Sequence, residues 1–188
     1  MLNKDISKED IEKNLEGKGD FVRIDYLSDL LKKGVSMEIR KYAALKLAEL
    51  YGRKTIFTDA AKAYNTAASA AVAFSEKIKY HVKETEFYIK AGDYVAADVA
   101  MKKAFVDAKA SERAEITFAV KDFYKRQALV YEKELRRSNA VKIYEKLLDM
   151  NISESERKEI KEKLLGLYEK LGLLKEYFAL KNAGLNRK

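Results

Sequence analysis

Along most of the chain, aromatic and small side chains recur at a fixed spacing. Three stretches each begin at a tyrosine and carry a small residue nine positions later, a large residue after thirteen and a small or apolar residue after sixteen. The three sets are Tyr51 with Ala60, Tyr64 and Ala67; Tyr88 with Ala97, Met101 and Ala104; and Tyr131 with Ala140, Tyr144 and Leu147. The leading tyrosines, together with Tyr168, are separated by 37, 43 and 37 residues. This period is typical of stacked helical hairpins, because a small residue lets two helices approach and a large one fills the space beyond.

Local signals also predict helices nearly throughout. Proline is absent, glycine occurs 8 times, and no segment alternates in hydrophobicity for long enough to indicate a strand. Helix starts are predicted at Ser7, Ser36 and Ser153, and the first and last of these have an acidic residue three positions later, as in a capping box. Gly92 and Gly172 are predicted to turn the chain at helix ends.

The predicted helices number about nine to ten and pair as antiparallel hairpins. Their approximate ranges are 7–16, 21–34, 36–50, 58–74, 76–90, 93–109 and 111–137, with one from Ser138 or Asn139, one from Ser153 and a short last one after Gly172. Ser111 is predicted to cap the longest helix. The break near Ser75 is placed only approximately, because no glycine or proline interrupts the chain there. We expect residues 1–35 to form N-terminal helices that cap the stack, and residues 36–188 to form one continuous domain of repeats.

The spacing of tyrosine, glycine, alanine and aromatic positions resembles the tetratricopeptide repeat (TPR) family over about residues 41–183. The run SMEIRKYAALKLAEL is similar to the second helix of a HEAT repeat, which makes the N-terminal hairpin HEAT-like. Ala60–Ala68 has a weaker similarity to soluble NSF attachment proteins, whose helical hairpins share the pattern AAxxYxxAA. The resemblance implies an all-α fold of antiparallel helical hairpins stacked in a right-handed TPR-like solenoid.

In TPR-like hairpins the inner surface of the stack comes mainly from the first helix of each pair, and it binds a peptide or a partner domain. Carried onto this sequence, the resemblance implies an inner surface formed by Tyr42, Leu45, Glu49, Val82, Glu86, Lys90, Lys125, Leu129 and Lys133. Three of these stand where chaperone-binding members have asparagine, so chaperone tails are not the expected partner. The expected function is a protein–protein interaction scaffold or adaptor.

Candidate chemistry is sparse. Cysteine is absent, which excludes disulfides, thiolate metal sites and cysteine nucleophiles. His81 is the only histidine, and Glu84 follows it on the same helical face, but a carboxylate-bridged metal site needs a second Glu-x-x-His pair, which the sequence lacks. Neither a serine in a glycine-rich elbow nor a glycine-rich phosphate loop is present. We therefore expect a packed histidine, no cofactor or metal, and no enzyme.

The distribution of charge along the sequence indicates RNA as an alternative partner. The net charge is +8, and it is uneven: residues 1–38 carry 7 basic and 9 acidic side chains, whereas residues 39–110 carry 13 and 8 and residues 111–188 carry 18 and 13. On helix 111–137, an apolar arc is formed by Val120, Phe123, Tyr124, Ala128, Tyr131 and Leu135. The opposite arc, called the basic face below, comprises Lys121, Lys125, Arg126, Lys133, Arg136 and Arg137. Such a face can follow RNA phosphates, or it can be a solvated face interspersed with acidic residues.

Two function classes remain, the scaffold that binds a protein or peptide and an RNA- or ribosome-associated protein that uses the basic face. The scaffold ranks first because the repeat explains many residues and the charge pattern explains few. The N-terminus has no apolar signal segment, and the longest uncharged run, Ala63 to Ser75, is too short to span a bilayer. We expect a cytoplasmic protein without a membrane span. The identity of the partner and the oligomeric state are left open.

Overall fold

The computed structural model describes residues 6–182, and over that range it contains ten helices and no β-strand. The helices are α1 Lys8–Leu15, α2 Asp20–Lys32, α3 Met37–Arg53, α4 Phe57–Ala70, α5 Phe74–Ala91, α6 Tyr94–Val106, α7 Ala110–Lys133, α8 Arg137–Leu148, α9 Glu154–Leu171 and α10 Leu174–Asn182. The prediction of an all-α fold with nine to ten helices is confirmed.

The chain divides into two compact units, Met1–Val120 and Lys121–Lys188. In the first unit α2 packs on α3, α3 on α4, α4 on α5 and α5 on α6. In the second unit α8 packs on α9 and α9 on α10. Consecutive helices thus pack against each other, which is the arrangement expected of a helical repeat. Residues of α1, α2 and α3 share one core cluster that includes Ile11, Leu27 and Leu47. The predicted boundary between residues 35 and 36 stays a prediction.

The small residues of the repeat lie where the helices touch. Three alanines, at offset nine from their tyrosines, are fully buried, and so are the three residues at offset sixteen; the set is Ala60, Ala97, Ala140, Ala67, Ala104 and Leu147. Gly92 and Gly172 end α5 and α9 in the left-handed region, with φ of 79° and 69°, where a residue without Cβ is favoured. The spacing in the sequence therefore has a direct packing cause.

The predicted serine caps at three helix starts are confirmed. Ser7 and Ser153 each form a capping box with the acidic residue three positions later, so Asp10 fulfils the role that Glu or Gln more often has. The Ser36 hydroxyl accepts a hydrogen bond from the N–H of Ile39 at 3.3 Å. These caps satisfy N–H groups that the first turn of a helix leaves without partners.

Helix α7 begins and ends differently from the prediction. Ser111 was predicted to cap it, but the helix begins at Ala110, and Lys109 holds the capping position because its N–H donates to Glu112 at 2.7 Å. The predicted end at Arg137 is also wrong, since α7 ends at Lys133. Leu135 turns the chain with φ of 57° and is 69% exposed, so it does not belong to the apolar arc.

The break between the fourth and fifth helices also differs from the prediction. The predicted helices 58–74 and 76–90 break at residues 71–73 rather than at Ser75. The reason is tertiary, because Ala68 and Ala71 join a core cluster with Tyr80 while Val72, at 88% exposed, forms the tip of the turn. Phe21, the second residue of α2, is 66% exposed, and the Lys54 ammonium lies 5.5 Å from the centre of its ring.

Candidate functional site

The predicted inner-surface residues of α3 are partly occupied by contacts within the chain. The Tyr42 hydroxyl donates to the Glu12 carboxylate of α1, and this hydrogen bond is the main reason that the pKa of Glu12 lies below its usual value. Leu45 packs against the alanine-rich core cluster of α3 and α4. Glu49 is exposed and lines a cavity of about 440 Å³ together with charged residues of α1, α2 and α3. On this helix, Glu49 is the member of the predicted set with the freest side chain.

The predicted residues of α5 differ in exposure. Val82 and Lys90 are partly exposed, whereas Glu86 is buried and binds the ammonium groups of Lys83 and Lys90 at 2.8 and 2.7 Å. Burial opposes ionisation of Glu86, but the hydrogen bonds from the two lysines outweigh it and lower the pKa. The Glu86 carboxylate is therefore already satisfied within α5.

A second buried carboxylate lies close by and was not predicted. Glu84 is 2% exposed, and its two oxygens accept from the Lys103 ammonium of α6 at 2.9 Å and contact His81 Nδ1 at 2.8 Å. Lys103 also donates to Asn65 Oδ1 of α4 at 2.9 Å. His81 is packed, as predicted, with 12% of its side chain exposed. The network ties three helices together, and among residues 6–182 no group of three His, Cys, Asp or Glu could hold a metal ion.

The predicted residues of α7 line an open groove in the second unit. Lys125 and Leu129 form one wall, and the groove is completed by Tyr144 of α8 and by Glu156, Glu159, Ile160 and Lys163 of α9. The cavity measures about 130 Å³, which suits a single apolar side chain rather than a whole ligand. Leu129 is 45% exposed here, whereas Ile160 is 4% exposed and forms the floor. Lys133, the last predicted residue of α7, is exposed and does not line the groove.

Hydrogen bonds fix the walls of this groove. Lys125 Nζ lies 2.5 Å from Glu156 Oε1, and that contact, with the Ser153 cap, holds the pKa of Glu156 down at about 2. The Tyr144 hydroxyl donates to Glu132 and accepts from Lys163 Nζ at 3.2 Å. Burial, and then the Glu132 bond, raises the pKa of Tyr144 above its usual value, so the hydroxyl stays neutral. The groove is thus a preformed apolar slot between fixed charged rims.

The predicted basic face does not lie on one helix, because Arg136 caps α8 and Arg137 is the first residue of α8. Its residues are also largely engaged by the protein itself. Four of its six cations make polar contacts: Lys121 with the Asn151 carbonyl, Lys125 with Glu156, Arg126 with Asp122 and Arg136 with Glu134. Lys133 and Arg137 make no such contact within the part of the chain that the structure describes. The face therefore presents less free positive charge than a count of its lysines and arginines indicates.

None of the helices between residues 6 and 182 is long and apolar enough to cross a membrane. Comparison of the chain with models of protein families, with curated proteins and with solved structures gave no match. The TPR-like assignment therefore stays a prediction that rests on the spacing and burial of the chain's own residues.

Proposed function

We propose that this protein is a non-enzymatic, cytoplasmic scaffold of TPR-like helical hairpins, which binds a segment of a partner protein in the groove of α7, α8 and α9. The observation that carries the proposal is the exposed Leu129 in the wall of a slot whose floor is the buried Ile160. Burying the rest of a leucine side chain stabilises a complex by about 1 kcal/mol. A single apolar side chain of the partner can enter the slot between Leu129 and Ile160.

The charged residues at the rim of the groove indicate which type of residue flanks the apolar anchor in the partner segment. Lys125 and Glu156 neutralise each other, and Lys163 contacts Tyr144 and lies 3.6 Å from Glu132. Glu159 is exposed and makes no ion pair within the described residues, so it is the rim charge left to meet a partner. The partner segment accordingly carries an apolar anchor next to a lysine or arginine.

RNA or ribosome binding through the basic face is the alternative. It has less support, because four of the six cations are already in contact with acidic or carbonyl groups of the second unit. A nuclease step in a capture experiment distinguishes the two classes, since an RNA-dependent association does not survive it.

Replacing Leu129 by aspartate is expected to reduce capture of the partner by about tenfold or more, because it places an unpaired charge in the apolar slot. The tagged protein is incubated with nuclease-treated extract of its source cells, and captured proteins are quantified by mass spectrometry. The matched control is Val130→Asp, since Val130 is the next residue of α7, is 41% exposed and does not line the groove.

The proposal requires a protein that the parent and the Val130→Asp variant both retain and that the Leu129→Asp variant loses. Equal retention by all three proteins would show that the groove does not bind the partner. Thermal melts of both variants that match the parent would show that the loss is not a folding defect.

A further inference from the structure

A second concave surface lies in the first unit, where the turn before α3 meets the C-terminal half of α4. This surface is open to solvent, and its volume of about 540 Å³ is within the range of small-molecule sites in proteins. Its lining consists of Gly34, Val35, Ser36, Met37, Arg40, Asn65, Thr66 and Ser69. One residue of this lining is cationic and none is acidic, so the cavity has a net positive charge.

The cation of the lining, Arg40, combines partial burial with the absence of an ion pair among the described residues. It is partly buried, and within residues 6–182 its side chain makes no hydrogen bond or ion pair. Three lysines of the same and other helices are paired, Lys8 with Glu38, Lys41 with Glu76 and Lys103 with Glu84, whereas Lys33, in the turn before α3, is exposed and makes no ion pair within the described residues. The acidic side chains nearest in the chain are therefore already engaged. A partly buried guanidinium without a counter-charge is a ready partner for an anion, since its planar donors match carboxylate and phosphate oxygens in pairs.

Two more side chains of the lining, Asn65 and Ser36, can donate hydrogen bonds to an anionic ligand. Asn65 Oδ1 accepts from Lys103, so the amide N–H groups of Asn65 are the part left to donate. Ser36 Oγ accepts from the Ile39 N–H, and its hydroxyl hydrogen remains to donate. Thr66 and Ser69 donate their hydroxyl hydrogens to backbone carbonyls of α4, so they contribute polar walls.

An apolar rim completes the cavity. Met37 is 62% exposed at its mouth, and Val35 is buried beneath it. We propose that this cavity, called the Arg40 cavity below, binds a small organic oxyanion whose phosphoryl or carboxylate group contacts Arg40, Asn65 and Ser36. The site is independent of the α7–α9 groove and of the scaffold function proposed for it, because its residues all belong to the first unit.

The test is a titration of the ¹⁵N-labelled protein with inorganic phosphate and, separately, with acetate, at ionic strength held constant with sodium chloride. Amide shifts of residues 34–40 and 65–69 should change and saturate with at least one of the two anions. Arg40→Gln should weaken that binding by about tenfold or more, the effect of losing a charge-assisted hydrogen bond. Saturation by phosphate alone or by acetate alone identifies the anionic group, and either result supports the proposal.

Lys33→Gln is the matched control, because it removes one exposed positive charge from the neighbouring turn without altering the lining. It should bind as the parent does. Ser69→Glu gives a second variant that keeps Arg40 and supplies it with a carboxylate, so it should also abolish binding. The proposal is overturned if neither anion saturates, or if the Arg40→Gln and Lys33→Gln variants respond identically.

Discussion

Replacing Lys103 by methionine should lower the free energy of unfolding by about 3 kcal/mol, because it leaves the Glu84 carboxylate buried without its ammonium partner. Loss of the partner of a buried carboxylate costs more than an exposed ion pair contributes, since Glu84 is only 2% exposed even though Lys103 itself is 38% exposed. We expect a loss of stability at the low end of the range for buried ion pairs, because His81 still contacts the Glu84 carboxylate. Urea denaturation followed by circular dichroism at pH 7 measures it.

Lys102→Met is the control for this substitution. Lys102 is exposed on the same helix and makes no ion pair in the described range, so its replacement should change stability by less than about 0.5 kcal/mol. The double variant Lys103→Met with Glu84→Leu should recover most of the loss, because an apolar pair of similar volume can replace a buried ion pair. Similar unfolding curves for Lys103→Met and Lys102→Met would mean that the network does not hold α4, α5 and α6 together.

Replacing Ala97 by leucine should destabilise the protein by about 1–3 kcal/mol. Ala97 is fully buried in α6, which packs against α5, and three added carbons have no space there without moving a helix. Ala97 is also the small residue of the second repeat, so the result tests the packing reason for the spacing. A thermal melt gives the comparison.

Ala114→Leu is the matched control, since Ala114 is exposed on α7 and can accept a leucine in solvent. Its melting temperature should stay close to that of the parent. If the melting temperature of Ala97→Leu also stayed close to that of the parent, close packing of helices would not explain the fixed spacing of small residues.

Features that depend on neighbours within one or two helical turns could be predicted from the sequence. The caps at Ser7, Ser36 and Ser153 form with residues three positions away, and the turns at Gly92 and Gly172 depend on backbone freedom at one residue. The buried alanines could be predicted because a period near 40 residues shows which positions are equivalent. The spacing alone identifies these alanines, whichever helix packs against them.

Features that depend on a distant side chain could not be predicted. Glu84 is charged, and a charged residue is expected at the surface. Its burial depends on Lys103 of α6, which donates to Glu84 and also to Asn65 of α4. Lys125 was predicted both on the inner surface and on the basic face, and its ion pair with Glu156, 31 residues later, which could not be predicted, fixes it in the groove wall. The end of α7 at Lys133 depends on the turn at Leu135, where neither glycine nor proline gives a signal.

Under the proposed function, partner binding depends on the apolar slot at Leu129 and not on the basic face. The most direct measurement is capture of the partner by a variant in which Arg126, Lys133 and Arg137 are all replaced by glutamate. This set spares Lys121 and Lys125, which bind the Asn151 carbonyl and Glu156 of the same unit. We predict that the charge-reversed protein retains the nuclease-resistant partner and that Leu129→Asp loses it. Retention by Leu129→Asp, with loss in the charge-reversed protein and after nuclease, would show that the basic face binds RNA and that the slot does not bind the partner.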